Sequence, residues 1–163
     1  MFWRALRAFL AEMPVGADLH HHLGGAAPPS MLIDFAAADG LCLPREAGVA
    51  WRLTAAPCAG DRRPVADALG DPGFHAEISR RWSMRDYAAD DPEIDRLEAN
   101  EHFCGIFPQI GLANRDLGRL LAGVRSLSAA EGILYLETST GWVPDRASPL
   151  VVAVNLVAPE TDS

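Results

Sequence analysis

Hydrophobic and polar positions along this chain alternate between helical and strand periodicity. Glycine-bounded apolar runs predict strands over Ala17–Leu23, Ile133–Thr138 and Val151–Val157, the last two as parallel neighbours. Apolar residues at a spacing of about 3.6 predict helices. The predicted helices are an amphipathic one over residues 1–10, Met31–Ala38, Phe74–Trp82, Glu98–Phe107 and Asn114–Ala130. The order of helix, glycine and buried strand around Gly132 is typical of parallel α/β folds.

Two segments lack this periodicity. Residues 40–73 are rich in glycine, proline, alanine and arginine and are predicted to be an irregular loop excursion with one short helix near Val65–Leu69. Residues 139–150 form a connection so short that it is at the limit of a parallel crossover.

On the helix Glu98–Phe107, the aromatic side chains Phe103 and Phe107 are expected to pack in the core with Ile106.

Composition limits the function classes. With 163 residues and 49% hydrophobic content, the chain is long enough for one globular core. The formal charge is −8, and all 14 basic residues of the Lys and Arg types are arginines. This acidic balance argues against a nucleic-acid partner. No run approaches the roughly 20 apolar residues of a membrane span, so no membrane partner is expected. Because Arg7 interrupts the first apolar run, a signal peptide is not predicted and a cytoplasmic location is expected, with export as the alternative if a leader lies upstream.

The cysteines do not have the spacing of a zinc site. Cys42 and Cys58 flank a loop that contains proline, alanine and glycine, and either a loop-closing disulfide or two small buried or half-buried thiols would explain them. Since disulfides require an oxidising compartment and no export signal is visible, thiols are expected. Cys104 stands alone.

The most informative run is Ala-Asp-Leu-His-His-His-Leu-Gly-Gly-Ala at residues 17–26. On a strand, His20 and His22 point to one side and His21 to the other. Two converging imidazoles suit zinc, although zinc needs further ligands, and a solvated strand end is the alternative. His75 and His102 are isolated and are expected to be surface or capping residues.

The stretch Glu12–Ala26 resembles the first-strand signature of the adenosine deaminase-like metal-dependent hydrolases. Glu131–Glu137 and Val151–Glu160 are similar to two later strands of that family. The resemblance implies a (β/α)₈ barrel, of which 163 residues supply about half. The expected fold class is therefore α/β, an incomplete TIM barrel that corresponds to the N-terminal half with an extra N-terminal helix. The whole chain, 1–163, is expected to form a single partial barrel domain.

The same resemblance implies a zinc-dependent hydrolytic deaminase of adenosine or a related purine nucleoside. It makes His20 and His22 ligands of one zinc ion and places Gly24 and Ala158 beside the substrate. Most catalytic residues of the family have no match here, so no catalytic residue is assigned and this chain is expected to be inactive. Glu137 either faces the metal region or is structural, and residues 138–141 end a strand where barrel enzymes place functional groups.

Two other functions remain open from the sequence. The chain is either a non-catalytic remnant that self-associates through exposed barrel edges, or a small α/β binding module in which the His-x-His pattern is incidental. In a partial barrel, unpaired strand edges should make the isolated chain prone to aggregate.

Overall fold

The computed structural model describes residues 2–13, 15–46, 51–87 and 96–139, together with the backbone of 151–154. Its elements in chain order are α1 (Phe2–Ala11), β1 (Gly16–His22), α2 (Leu23–Ala26), α3 (Pro29–Ala38), β2 (Cys42–Pro44), β3 (Arg62–Pro64), a 3₁₀ helix (Val65–Leu69), α4 (Pro72–Arg81), α5 (Arg96–Ile110), α6 (Leu117–Ala130), β4 (Ile133–Ser139) and β5 (Val151–Val154). The chain divides into two compact units, Met1–Ala26 with Gly118–Ser163, and Ala27–Leu117. The single partial barrel domain stays a prediction.

The first unit contains a three-stranded sheet in the order β1-β4-β5. β1 and β4 are parallel neighbours, as a parallel α/β fold requires, and near their ends His21 is paired with Thr138 and His22 with Ser139. The register shifts between Asp18 and His21. There the Asp18 carboxylate accepts a hydrogen bond from the backbone N–H of His20 at 3.2 Å.

The predicted parallel pairing of Val151–Val157 with the preceding strand is wrong. β5 covers Val151–Val154 and runs antiparallel to β4. A short connection explains the difference, because parallel neighbours need a crossover of a dozen or more residues whereas antiparallel neighbours need only a turn.

The second unit has a hydrophobic core built from α3, the β2–β3 hairpin, the 3₁₀ helix, α4 and α5. Its buried members include Leu32, Ile33, Leu41, Leu43, Trp51, Leu53, Val65, Phe74, Ile78, Trp82, Ile106 and Ile110. Residues 40–73, which were predicted to be an irregular excursion, contain only short regular elements in their described part, but they contribute to this core. They contain an antiparallel hairpin and contribute buried side chains, and the short helix predicted at Val65–Leu69 is confirmed as a 3₁₀ helix.

The aromatic side chains of α5 do not pack in this core, contrary to the prediction. Phe103 and Phe107 are 48% and 40% exposed and contact each other edge to face, whereas Ile106 and Ile110 are buried. Successive helical residues are about 100° apart, so the two phenylalanines lie at the edge of the buried stripe rather than on it.

Cys42 and Cys58 form a disulfide with Cα atoms 5.5 Å apart, so the expectation of two thiols is wrong. That separation is within the usual range for disulfides. The pairing depends on where the loop folds back, which periodicity does not report. Cys104 is an exposed free thiol.

The N-terminal helix α1 has two aromatic residues, Phe2 and Trp3, that are 71% and 77% exposed. None of its side chains is buried. Among the described residues, no helix combines the length and apolar character needed to cross a membrane.

Candidate functional site

The imidazoles of His20 and His22 meet at the carboxyl end of β1. Their Nε2 atoms are 3.0 Å apart, with ring centroids 4.9 Å apart and ring planes at 69°. Both side chains are exposed. The prediction that they point to the same side is confirmed, and the reason is strand alternation across His21.

His21 points to the other side and is partly buried. Its Nδ1 lies 3.1 Å from the hydroxyl of Thr138 on β4, its register partner. The prediction that His21 turns away from the other two histidines is therefore also confirmed.

Ser139 is the residue of this site that sequence reasoning did not assign. Its Oγ is 3.2 Å from Nδ1 of His22. The available signal was its place at the end of a predicted strand, where functional groups often lie. The contact joins residues 117 positions apart, so it depends on the pairing of β1 with β4.

Glu137 has a neighbour on its own strand. The phenol of Tyr135 donates to its Oε1 at 2.7 Å. This hydrogen bond, followed by burial, raises the pKa of Tyr135, so the phenol stays protonated at neutral pH. Of the two interpretations of Glu137, the described contacts support the structural one.

The histidine pair has a spacing suited to a shared metal ion. Two imidazole nitrogens bound to one tetrahedral zinc at 2.0–2.1 Å lie about 3.3 Å apart. The observed 3.0 Å separation needs only a few tenths of an ångström of opening. Across the described ranges, no group of three or more His, Cys, Asp or Glu side chains is placed to hold a metal.

The other histidines lie in the second unit and have partners of their own. Nδ1 of His75 is 3.4 Å from the hydroxyl of Ser79. Nε2 of His102 is 2.9 Å from the carbonyl of Ser83, and its ring stacks on Tyr87.

Of the two residues predicted to lie beside a substrate, the structure describes Gly24 only. Gly24 is in α2, and a Cβ added to it would meet no atom within 4 Å. Ala158 lies outside the described residues.

Comparison with known proteins does not support the predicted family. No protein-family model and no solved structure matches the chain. A segment of 105 residues, 63% of the chain, is 37% identical to a probable dual-specificity RNA methyltransferase RlmN of Frankia casuarinae (strain DSM 45818 / CECT 9043 / HFP020203 / CcI3). The chain spans 22% of that relative's length.

This similarity overturns the resemblance drawn from the histidine run. The matched protein is named as a probable RNA methyltransferase and not as an adenosine deaminase-like hydrolase. The predicted family membership, the zinc-dependent deaminase activity and the purine nucleoside substrate are therefore wrong. The physical reason is that the pattern is short. A His-x-His strand followed by glycines can bind zinc in proteins of many families, so it does not identify a family by itself.

Proposed function

We propose that this chain is a small α/β module that binds one divalent transition-metal ion, with zinc as the expected ion, through Nε2 of His20 and Nε2 of His22. The observation that carries the proposal is the 3.0 Å separation of these two atoms at an exposed strand end. Neutral imidazole is a good ligand for zinc and its neighbours in the transition series.

The rest of the coordination sphere would come from water. Two protein ligands hold zinc less tightly than the four of a structural site, so weak and reversible binding is expected. The module needs no catalytic residue for this role, and none is assigned to it.

Isothermal titration of the full chain with zinc chloride tests the proposal. We expect one site per chain, lost in His20→Ala and in His22→Ala and retained in His21→Ala. The last variant is a matched control because it removes an imidazole from the same strand but from the opposite face. Absence of zinc binding in the wild-type chain, or binding that survives both His20→Ala and His22→Ala, would refute the proposal.

The similarity to an RNA methyltransferase favours RNA methylation as a second candidate. Against it stands the formal charge of −8, since RNA binding depends on basic groups that neutralise phosphates. Incubation of the chain with RNA and S-adenosylmethionine, followed by a count of transferred methyl groups, separates the two candidates. We expect no transfer by this chain.

The described contacts bear on two further expectations, the barrel fold and the cellular location. The parallel pairing of β1 with β4 supports an incomplete (β/α)₈ barrel, while the antiparallel β5 is foreign to one. A cytoplasmic location is opposed by the Cys42–Cys58 disulfide, which favours an oxidising compartment.

A further inference from the structure

The pairing of β1 with β4 places two consecutive hydroxyls beside two consecutive histidines. Thr138 Oγ1 is 3.1 Å from Nδ1 of His21, and Ser139 Oγ is 3.2 Å from Nδ1 of His22. The two contacts follow directly from the strand register, in which the same residues are partners.

Both hydroxyls also reach one backbone acceptor. Thr138 Oγ1 lies 3.3 Å and Ser139 Oγ 3.5 Å from the carbonyl oxygen of His21. A hydroxyl has a single proton and two acceptor lone pairs. When that proton goes to the carbonyl, the oxygen is left to accept a hydrogen bond from the neighbouring imidazole.

With Ser139 Oγ as the acceptor, His22 would carry its proton on Nδ1. A neutral imidazole that donates from Nδ1 has its lone pair on Nε2. Nε2 of His22 is the atom that faces His20 at 3.0 Å, so in this tautomer it would accept a hydrogen bond from Nε2–H of His20. The sequence of hydrogen bonds then runs from His20 through His22 and Ser139 to the carbonyl of His21.

From this geometry we infer that Ser139 is a positioning residue for the metal site, because it holds His22 in the Nδ1–H tautomer and presents the Nε2 lone pair to the ion. The inference rests on the proposed metal-binding function. Metal-ligating histidines commonly donate their second ring N–H to a neighbouring acceptor, and removal of such an acceptor typically lowers metal affinity 10–100-fold. For both Nε2 atoms to hold a metal ion, His20 would carry its proton on Nδ1 instead of Nε2.

Long-range ¹H–¹⁵N correlation spectra of the metal-free chain report the tautomer of each histidine directly. We expect Nδ1–H for His22 and Nε2–H for His20 in the wild-type chain. Ser139→Ala should convert His22 to a mixture of tautomers and weaken zinc binding about 10–100-fold. Ser139→Thr should restore both properties because it retains the hydroxyl.

Thr138→Val is the matched control. It removes the adjacent hydroxyl, which contacts His21 and not His20 or His22. It should leave the His22 tautomer and the zinc affinity unchanged. An Nε2–H tautomer of His22 in the wild-type chain, or a Ser139→Ala variant with wild-type tautomer and affinity, would overturn the inference. If the wild-type chain shows the Nδ1–H tautomer but binds no zinc, the proposed function fails and Ser139 has no metal-positioning role.

Discussion

At the scale of single residues, Asp71 has two roles in the second unit, as the cap of α4 and as the ion-pair partner of Arg63. Its Oδ1 accepts the backbone N–H groups of Gly73 and Phe74 at 3.0 and 3.1 Å, which caps α4. Its Oδ2 accepts a hydrogen bond from Arg63 at 2.9 Å. The hydrogen bond from Arg63 first, and the one from Phe74 next, hold the pKa of Asp71 below its ordinary value.

Replacing Asp71 separates these two roles. Asp71→Asn keeps a good capping side chain but loses the charge, whereas Asp71→Ala loses both. At pH 7 we expect melting temperatures in the order wild type, Asp71→Asn, Asp71→Ala. Thermal unfolding followed by circular dichroism measures the order, and equal melting temperatures for wild type and Asp71→Ala would contradict it.

The ion pair of Asp71 with Arg63 predicts how stability changes with pH. Because the folded-state pKa of Asp71 is lowered, its charge stabilises the fold above the ordinary carboxyl pKa of about 3.9, and the benefit is lost as pH falls through the lowered value. The difference in melting temperature between wild type and Asp71→Asn should therefore shrink below about pH 4. A difference that widens in acid would show that the charge of Asp71 does not stabilise the native state.

The sequence predicted one part of the histidine site at this scale and missed another. Period-2 alternation sufficed to place His20 and His22 together, because it is a local property of one strand. The contact of His22 with Ser139 depends on which strands pair and in which register. No local pattern in either strand specifies that register.

At the scale of elements, the Cys42–Cys58 disulfide joins β2 to the segment that connects β2 with β3. Cys42 in β2 also exchanges two backbone hydrogen bonds with Thr54, at 2.9 and 3.0 Å. Trp51 and Leu53, which lie between β2 and Thr54 in the sequence, are both buried in the core. The disulfide therefore restrains a segment that has little regular structure but contributes large apolar side chains.

Removing this cross-link should destabilise the second unit. Closing a loop of about 15 residues stabilises a fold by roughly 3 kcal/mol in the chain-entropy account, and the two cysteines are 16 positions apart. We expect Cys58→Ser to lower the free energy of unfolding by about that amount in urea titrations. Cys104→Ser, at an exposed free thiol, is the control and should have little effect. A Cys58→Ser chain as stable as the control would contradict the account.

The same hairpin shows why some elements were not predicted. β2 and β3 have three residues each, too few for a period to appear, and their pairing was invisible in a segment rich in glycine and proline. The longer helices α4 and α6 were predicted because repeated apolar positions specify them over several turns. For β5, an apolar run predicted the strand but contained no information on its direction.

At the scale of the whole molecule, the first unit leaves an edge strand available. In the described sheet, β1 pairs with β4 on one side. Leu19 on this strand is 63% exposed. Unprotected edge strands with exposed apolar side chains promote pairing with other chains. We therefore predict concentration-dependent self-association.

Light scattering coupled to size-exclusion chromatography tests this prediction. Leu19→Lys should shift the chain toward monomer, because a charged edge residue opposes strand addition. Leu69→Lys is the matched control, since Leu69 has a similar exposure of 62% in the second unit. Equal association of wild type and both variants would show that β1 is not the contact.

The most direct test of the central claim is X-ray absorption spectroscopy at the zinc edge on the full chain loaded with one equivalent of zinc. Our account predicts two imidazole ligands per zinc with Zn–N distances of about 2.0–2.1 Å. It also predicts that the imidazole scattering disappears in the His20→Ala/His22→Ala double variant. A wild-type spectrum without imidazole scattering, or one that the double variant leaves unchanged, would contradict the assignment of His20 and His22 as the metal site.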